Sequence, residues 1–346
     1  MNRLSTNLQD ALLAGQVIPA HPLALNKYGK LDERRQRALS RYYLDAGAGG
    51  LAVGVHTTQF AIRDKDLLKP VLEISAEQIA ENENEDLIGI AGVIGETKQA
   101  VFEAKLAVDL GYHAALLSLG AFVDFSDEDM ICHCREIAEI IPIVGFYLQP
   151  SVGGRLLSYE FWKKFCEIEN VIAIKVAPFS RYHTIDVLRG LADSGRVQDI
   201  ALYTGNDDSI VLDLLTKHVF SEKEIVFAGG LLGHWAVWTR EAVKILDTCK
   251  RLRDSNDSIS QAMLSLAIEV TDCNAAFFDV KNNFAGCIPG IHEVLRRQGL
   301  LEGIWCLDSR EILSPGQFSE IERVYSAYPH LNDDVFVAEN LDRWLN

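Results

Sequence analysis

The chain contains no apolar run approaching the roughly 18 to 20 residues that a bilayer core requires, so no transmembrane helix is expected. Its opening, MNRLSTNLQDALLAG, lacks an apolar stretch long enough for a secretory signal. No G-x-G-x-x-G follows a candidate strand, which weakens a dinucleotide reading, and neither a phosphate-binding P-loop nor a metal-binding H-E-x-x-H occurs. Basic residues are outnumbered, 33 against 49 acidic, and the net charge of −16 argues against a nucleic-acid partner. The acidic residues lie scattered over helix faces, as on a solvated surface. The seven cysteines are odd in number and widely spaced, which suits reduced thiols in a cytoplasm better than a disulfide framework. What remains is ordinary globular composition, long enough for one large α/β domain plus an extension.

The most informative stretch is Val171-Ile-Ala-Ile-Lys175-Val-Ala-Pro178. A short, β-branched apolar run closed by proline reads as a buried parallel strand. A lysine inside it is costly to keep charged, and burial favours the neutral amine. A neutral amine attacks carbonyl carbon and forms a Schiff base. The plainer alternative is a lysine that snorkels to solvent from a strand end.

Further apolar runs read as strands at Gln16–Ala20, Leu51–Val55, Leu87–Val93, Ala114–Leu119, Ile141–Leu148, Asp199–Thr204 and Glu224–Ala228. Helical segments with cap signals separate them: Asp32, Ser75, Ser126 and Ser158 stand at expected N-caps. Eight strands at about thirty-residue spacing, each followed by a helix, predict a (β/α)8 TIM barrel of the α/β class. The predicted division is a barrel over 1–255 and a C-terminal helical extension over 256–346 packed on it. Active sites of such barrels lie at the C-terminal ends of the strands. That rule gathers Lys175 from strand six, Tyr147 from strand five, His56 and Thr57 after strand two, and Asn206 and Asp207 after strand seven. An amine and a phenol at one mouth form a working pair, with Lys175 as nucleophile and Tyr147 as proton relay. Gly229, beside Gly230, is expected either to offer backbone N–H groups to an anion or to form a tight turn.

With these residues in place the chain resembles the dihydrodipicolinate synthase/N-acetylneuraminate lyase family of class I aldolases, over roughly residues 15 to 325. Ile172-Ala-Ile174-Lys175 is similar to the family's I-x-G-I-K run. Tyr147-Leu-Gln-Pro150 resembles the family's Y-N-x-P-type motif, at the usual 28-residue distance from the lysine. Gly205-Asn206-Asp207 resembles the G-x-D turn after strand seven, and Gly29-Lys-Leu-Asp32 the G-x-x-D entry to the first helix. The resemblance implies a (β/α)8 barrel with a helical extension, usually tetrameric. It also implies 2-oxo acid carboxylate binding at the turn after strand two.

Several positions depart from the family. The G-T-T-G-E turn corresponds to Val55-His56-Thr57-Thr58-Gln59, so His56, Thr57 and Thr58 are the expected substrate contacts there. The arginine usual after Y-N-x-P is absent from its place, with Arg155 three residues later, and the second relay tyrosine after strand four is missing. These changes count against plain pyruvate chemistry and the lysine-biosynthesis reaction.

The expectation is a cytoplasmic Schiff-base aldolase-type lyase or synthase acting on a 2-oxo acid or related carbonyl compound. The alternatives are a sugar-acid dehydratase using the same imine, or an inactive barrel that binds a metabolite. No metal or organic cofactor is expected, because the protonated imine is the electron sink. Partners are the small 2-oxo acid or sugar-acid substrate and further copies of the chain as a dimer or tetramer, without nucleic acid or membrane. Cys132-His133-Cys134 resembles a metal-binding fragment but falls on a helix, where residues two apart face different sides. Asp207 and Asp208 also suit helix capping.

Overall fold

Valine, isoleucine, leucine and alanine fill the strand runs on both faces, as strands need when helices cover one face and a closed barrel interior the other. The computed structural model describes residues 2–255 and 257–346. Its strands are β1 (Val17–Pro19), β2 (Gly50–Val53), β3 (Ile88–Val93), β4 (Ala114–Leu117), β5 (Ile143–Leu148), β6 (Val171–Ala177), β7 (Ala201–Thr204), β8 (His218–Phe220), β9 (Lys223–Ile225) and β10 (Phe227–Leu232). Eight of them form one parallel sheet in the order β1-β10-β7-β6-β5-β4-β3-β2, while β8 and β9 make a separate hairpin. The sheet closes between β1 and β2: Ala20 bridges Ala52, His21 N donates to Ala52 O at 2.8 Å, and Gly49 N to Val17 O at 3.0 Å. The chain is thus the expected (β/α)8 barrel with helices C-terminal to it. Among the described residues, no helix is long and apolar enough to cross a membrane.

The buried apolar residues form two clusters. A smaller one fills the barrel interior, and a larger one lies between the strands and the helical ring. Alternation along each strand assigns its side chains to one or the other. Strands β5 and β6 contain one irregularity: Ile143 pairs with Val171, but Val144 pairs with Ala173, so Ile172 is extra. Ile172 and Ala173 consequently both face the interior. Such a bulge reverses the facing of every later residue relative to the neighbouring strand.

Most boundaries match the sequence reading within a residue or two, and three points need correction. The eighth barrel strand runs Phe227–Leu232 rather than Glu224–Ala228, because Lys223–Ile225 turns back on His218–Phe220 as a hairpin. Ser75 is no cap; it lies buried inside the helix Leu68–Ala80. The helix Thr6–Ala14 has no counterpart in the sequence reading. Ser5 caps it, and Leu8 and Leu12 enter the interior cluster, closing the N-terminal end of the barrel. The caps at Asp32, Ser126 and Ser158 are formed, the second as a capping box with Asp129.

Helices Gln261–Phe277, Cys287–Arg297, Gln317–Ala327 and Asp334–Leu345 make up the extension. It returns over the C-terminal ends of the strands. Asn274 Nδ2 donates to the Asp207 carbonyl at 2.6 Å, and Leu307 N donates to Gln59 Oε1 at 2.6 Å.

Candidate active site

A cavity of about 60 Å³ opens at the C-terminal mouth of the barrel, and Lys175 and Asp207 line it together. Lys175 leaves β6 toward the interior, 8% exposed, with Nζ 4.4 Å from the centre of the Phe146 ring. Gly205 makes room for it: a Cβ there would stand 3.0 Å from the Lys175 Cε and 2.8 Å from the Ala177 Cβ. Burial lowers the amine to about 8, against the opposing pull of the Asp207 carboxylate. Burial likewise raises the Asp207 carboxyl to about 8, against the pull of the ammonium. The two groups titrate as a pair, each pushed toward its uncharged form by burial and pulled back by the other. Asp207 is half-buried as a residue, but its Oδ1 is shut off from solvent and has no hydrogen-bond partner among the described residues.

The turn after β2 is a 3-10 segment, His56–Thr58. His56 lines the cavity, and burial together with the Lys175 charge lowers its ring to about 4, so it is neutral. Thr57 lines the cavity as well, but its hydroxyl donates to Ala20 O at 2.7 Å. That proton is committed, and the oxygen has only lone pairs to offer a ligand.

Thr58 lies behind the wall. Its hydroxyl donates to His21 O at 2.6 Å and accepts from Gly54 N and Val55 N, which ties the turn to β1. Asn206 is also outside the cavity. It accepts from Phe179 N and donates to Thr184 Oγ1 and Asp213 Oδ2, joining the loops after β6 and β7. Gly229 belongs to the middle of β10, where a Cβ would stand 2.2 Å from Gln16 O. It permits close approach of β1 and makes no anion turn, a consequence of the later eighth strand.

Tyr147 departs furthest from expectation. Its ring packs in the outer cluster against Trp162 (centroids 5.3 Å apart) and His183 (6.1 Å). Its hydroxyl accepts from Leu157 N at 3.2 Å and donates to Leu157 O at 3.3 Å. Along β5 the side chains alternate without a break: Val144 and Phe146 face the interior, Ile143 and Tyr147 the helical ring. The bulge at Ile172 of β6 turns Lys175 inward, and the pairing sets it beside Phe146 rather than Tyr147. Phe146 therefore stands in the cavity, and Tyr147 is absent from its lining.

Sequence reasoning missed the remaining wall. Phe278, Phe284 and Cys287 come from the extension, and Gln149 and Val152 from the segment after β5. The glycine and proline content of Phe284–Gly290 marks that segment only as a packing element. Gln149 lies inside the Y-x-Q-P motif, with nothing local to give it a role. Arg155 is turned away: its Nη1 donates to the Phe122 and Phe125 carbonyls. Of Cys132-His133-Cys134, the first thiol is exposed, the last is buried, and His133 bonds Thr97, so the three diverge. Among the described residues, no group of three or more histidines, cysteines and carboxylates could hold a metal ion.

The chain has known relatives in sequence and in fold. Residues 14–217 match the model of the dihydrodipicolinate synthetase family. The chain is 24% identical over 188 residues to a 4-hydroxy-tetrahydrodipicolinate synthase of Clostridium novyi, covering 54% of this chain and 60% of that one. It is 27% identical over 202 residues to an N-acetylneuraminate lyase of Citrobacter koseri, covering 58% and 65%. The aligned region thus spans less than two thirds of these relatives. The crystal structure of dihydrodipicolinate synthase from Oceanobacillus iheyensis superposes with a TM-score of 0.72 over 94% of this chain and 99% of that one, at 15% identity, a likeness of fold. With the family match extending over more than half of its length, the chain belongs to the dihydrodipicolinate synthetase family.

Proposed function

We propose that this chain is a class I aldolase-type lyase or synthase in which Lys175 forms a Schiff base with a 2-oxo acid and Asp207 moves the protons. One observation carries the reading: a buried lysine and a carboxyl with a solvent-shielded, unpartnered oxygen share a cavity at the mouth of the barrel. Burial lowers the pKa of the amine, which raises its neutral, nucleophilic fraction near neutral pH.

The neutral amine adds to the keto carbon, and the carboxyl of Asp207 protonates the carbinolamine hydroxyl, which departs as water. In the resulting iminium of a 4-hydroxy-2-oxo acid, the Asp207 carboxylate takes the C4 hydroxyl proton. The C3–C4 bond then breaks, its electron pair enters the iminium to give an enamine, and an aldehyde leaves. Protonation of C3 and hydrolysis release the shorter 2-oxo acid. The reverse order is the synthase direction. The iminium is the electron sink, so the scheme calls for no cofactor. Because the Thr57 proton is committed to Ala20 O, the substrate carboxylate takes its hydrogen bond from the neutral His56 ring.

Incubation with borohydride and a panel of 2-oxo acids that includes pyruvate tests the reading. A reduced adduct is expected on the peptide containing Lys175, and Lys175→Ala and Lys175→Arg abolish it, since arginine has no usable neutral form. An adduct that survives in Lys175→Ala shows that another amine is the nucleophile.

A further inference from the structure

The wall facing Lys175 is apolar. Phe146, Phe179, Phe278 and Phe284 line it, and Leu148 and Val152 fill the side of β5. Phe179 and Phe284 pair at 5.8 Å between centroids, and both hold positive φ, 50° and 66°. A bulky residue in that region is strained and persists only where its surroundings impose it. The ring pair is thus held over the cavity at a cost in backbone energy.

Among the described residues lining the cavity, Lys175 is the sole side chain that carries positive charge at neutral pH, because His56 is neutral. Imine formation commits Lys175 to the 2-oxo acid. Arg155 spends its guanidinium on backbone carbonyls, and Arg181 pairs with Asp213. A second carboxylate on the substrate would therefore be buried beside Asp207 without a counter-ion, which is strongly unfavourable. A polyol would leave most of its hydroxyls against phenylalanine rings. One neutral donor remains: Gln149 is 7% exposed, lines the cavity, and its Nε2 has no hydrogen-bond partner among the described residues.

We infer that the aldehyde half of the reaction is an uncharged aldehyde with an apolar substituent, whose oxygen accepts a hydrogen bond from the Gln149 amide while the substituent lies against the phenylalanine wall. The substrate in the cleavage direction is then a 4-hydroxy-2-oxo acid with an apolar group on C4. Cleavage yields a 2-oxo acid and that aldehyde, with the proton and electron transfers already described. The inference rests on the Schiff-base reading and extends it to the part of the substrate that Lys175 does not touch.

The test uses the full chain with pyruvate and four aldehydes: benzaldehyde, isobutyraldehyde, aspartate semialdehyde and N-acetylmannosamine. Pyruvate consumption and the mass of the condensed product are followed. The two apolar aldehydes should react at least about tenfold faster than the charged and polyol ones. Gln149→Leu should slow the apolar aldehydes. Val152→Arg, at a half-buried position lining the cavity, should shift preference toward aspartate semialdehyde by supplying the missing cation. Equal or faster reaction of the charged or polyol aldehyde overturns the inference, and so does pyruvate trapping with no aldehyde consumed. Absence of an adduct on Lys175 with every member of the 2-oxo acid panel instead removes the Schiff-base reading, and this inference with it.

Discussion

Lys175 and Asp207 are each pushed toward the uncharged state by burial and pulled back by the other, and this coupling governs what substitution does. Asp207→Asn removes the negative charge that stabilises the ammonium, so the amine titrates below about 8. The pH midpoint of borohydride trapping should move to lower pH in that variant, while turnover falls by about 10²–10⁴, the usual contribution of an acid–base group. An unmoved midpoint would separate the two residues electrostatically. Tyr147→Phe should do the opposite of what a relay tyrosine predicts. The hydroxyl lies between Leu157 N and O, so its loss should cost about 1–2 kcal/mol of stability with turnover nearly unchanged. Thermal midpoint and rate, measured on the same preparation, decide this; a hundredfold slower but equally stable variant would return the phenol to the site.

Among the elements, the loops after β6 and β7 matter most, because they carry Phe179 and Asp207. Asn206 ties them together through Phe179 N, Thr184 Oγ1 and Asp213 Oδ2. Asp213 in turn bonds Thr204 and pairs with Arg181 at 2.6 Å. Asn206→Ala takes the acceptor from Phe179 N and a donor from both Thr184 and Asp213, which costs about 1–3 kcal/mol. Denaturant unfolding should show that loss, together with slower trapping from a displaced Asp207. Full stability in Asn206→Ala would mean the loops are held by other contacts. The strand and helix pattern is plain in the sequence, because each βα unit repeats an apolar run, a turn and a capped helix. The bulge at Ile172 is not. Val171, Ile172 and Ala173 follow one another in a run with no polar side, so nothing local tells which residue is extra. Only the pairing of β6 with β5 reveals it, and that pairing turns Lys175 inward beside Phe146 rather than Tyr147.

Across the folded chain, burial keeps several histidines neutral. It lowers His21, His56, His234 and His292 each to about 4, below the unfolded value of about 6.5. The unfolded chain binds more protons than the folded one between those values. Stability from these rings is therefore fully present above the unfolded value and is lost as pH falls toward the folded one. The thermal midpoint should decline between about pH 6.5 and 5, before ordinary carboxylates protonate. A flat midpoint over that range would mean these rings are hydrated in solution.

The barrel, the order of its strands and the lysine in its sixth strand are all legible along the chain, because hydrophobic period and cap chemistry are local properties. His56, Thr57 and Asp207 at the mouth are legible too, since strand ends follow from strand order. Which side chains face the cavity is a different matter. Ile172 is the extra residue only because Val171 pairs with Ile143 and Ala173 with Val144, and neither pairing is written in the local pattern. Phe278, Phe284 and Cys287 reach the cavity from a helical extension far along the chain. Facing depends on register between strands and on long-range packing, and a shift of one residue exchanges the inside of the barrel for the outside.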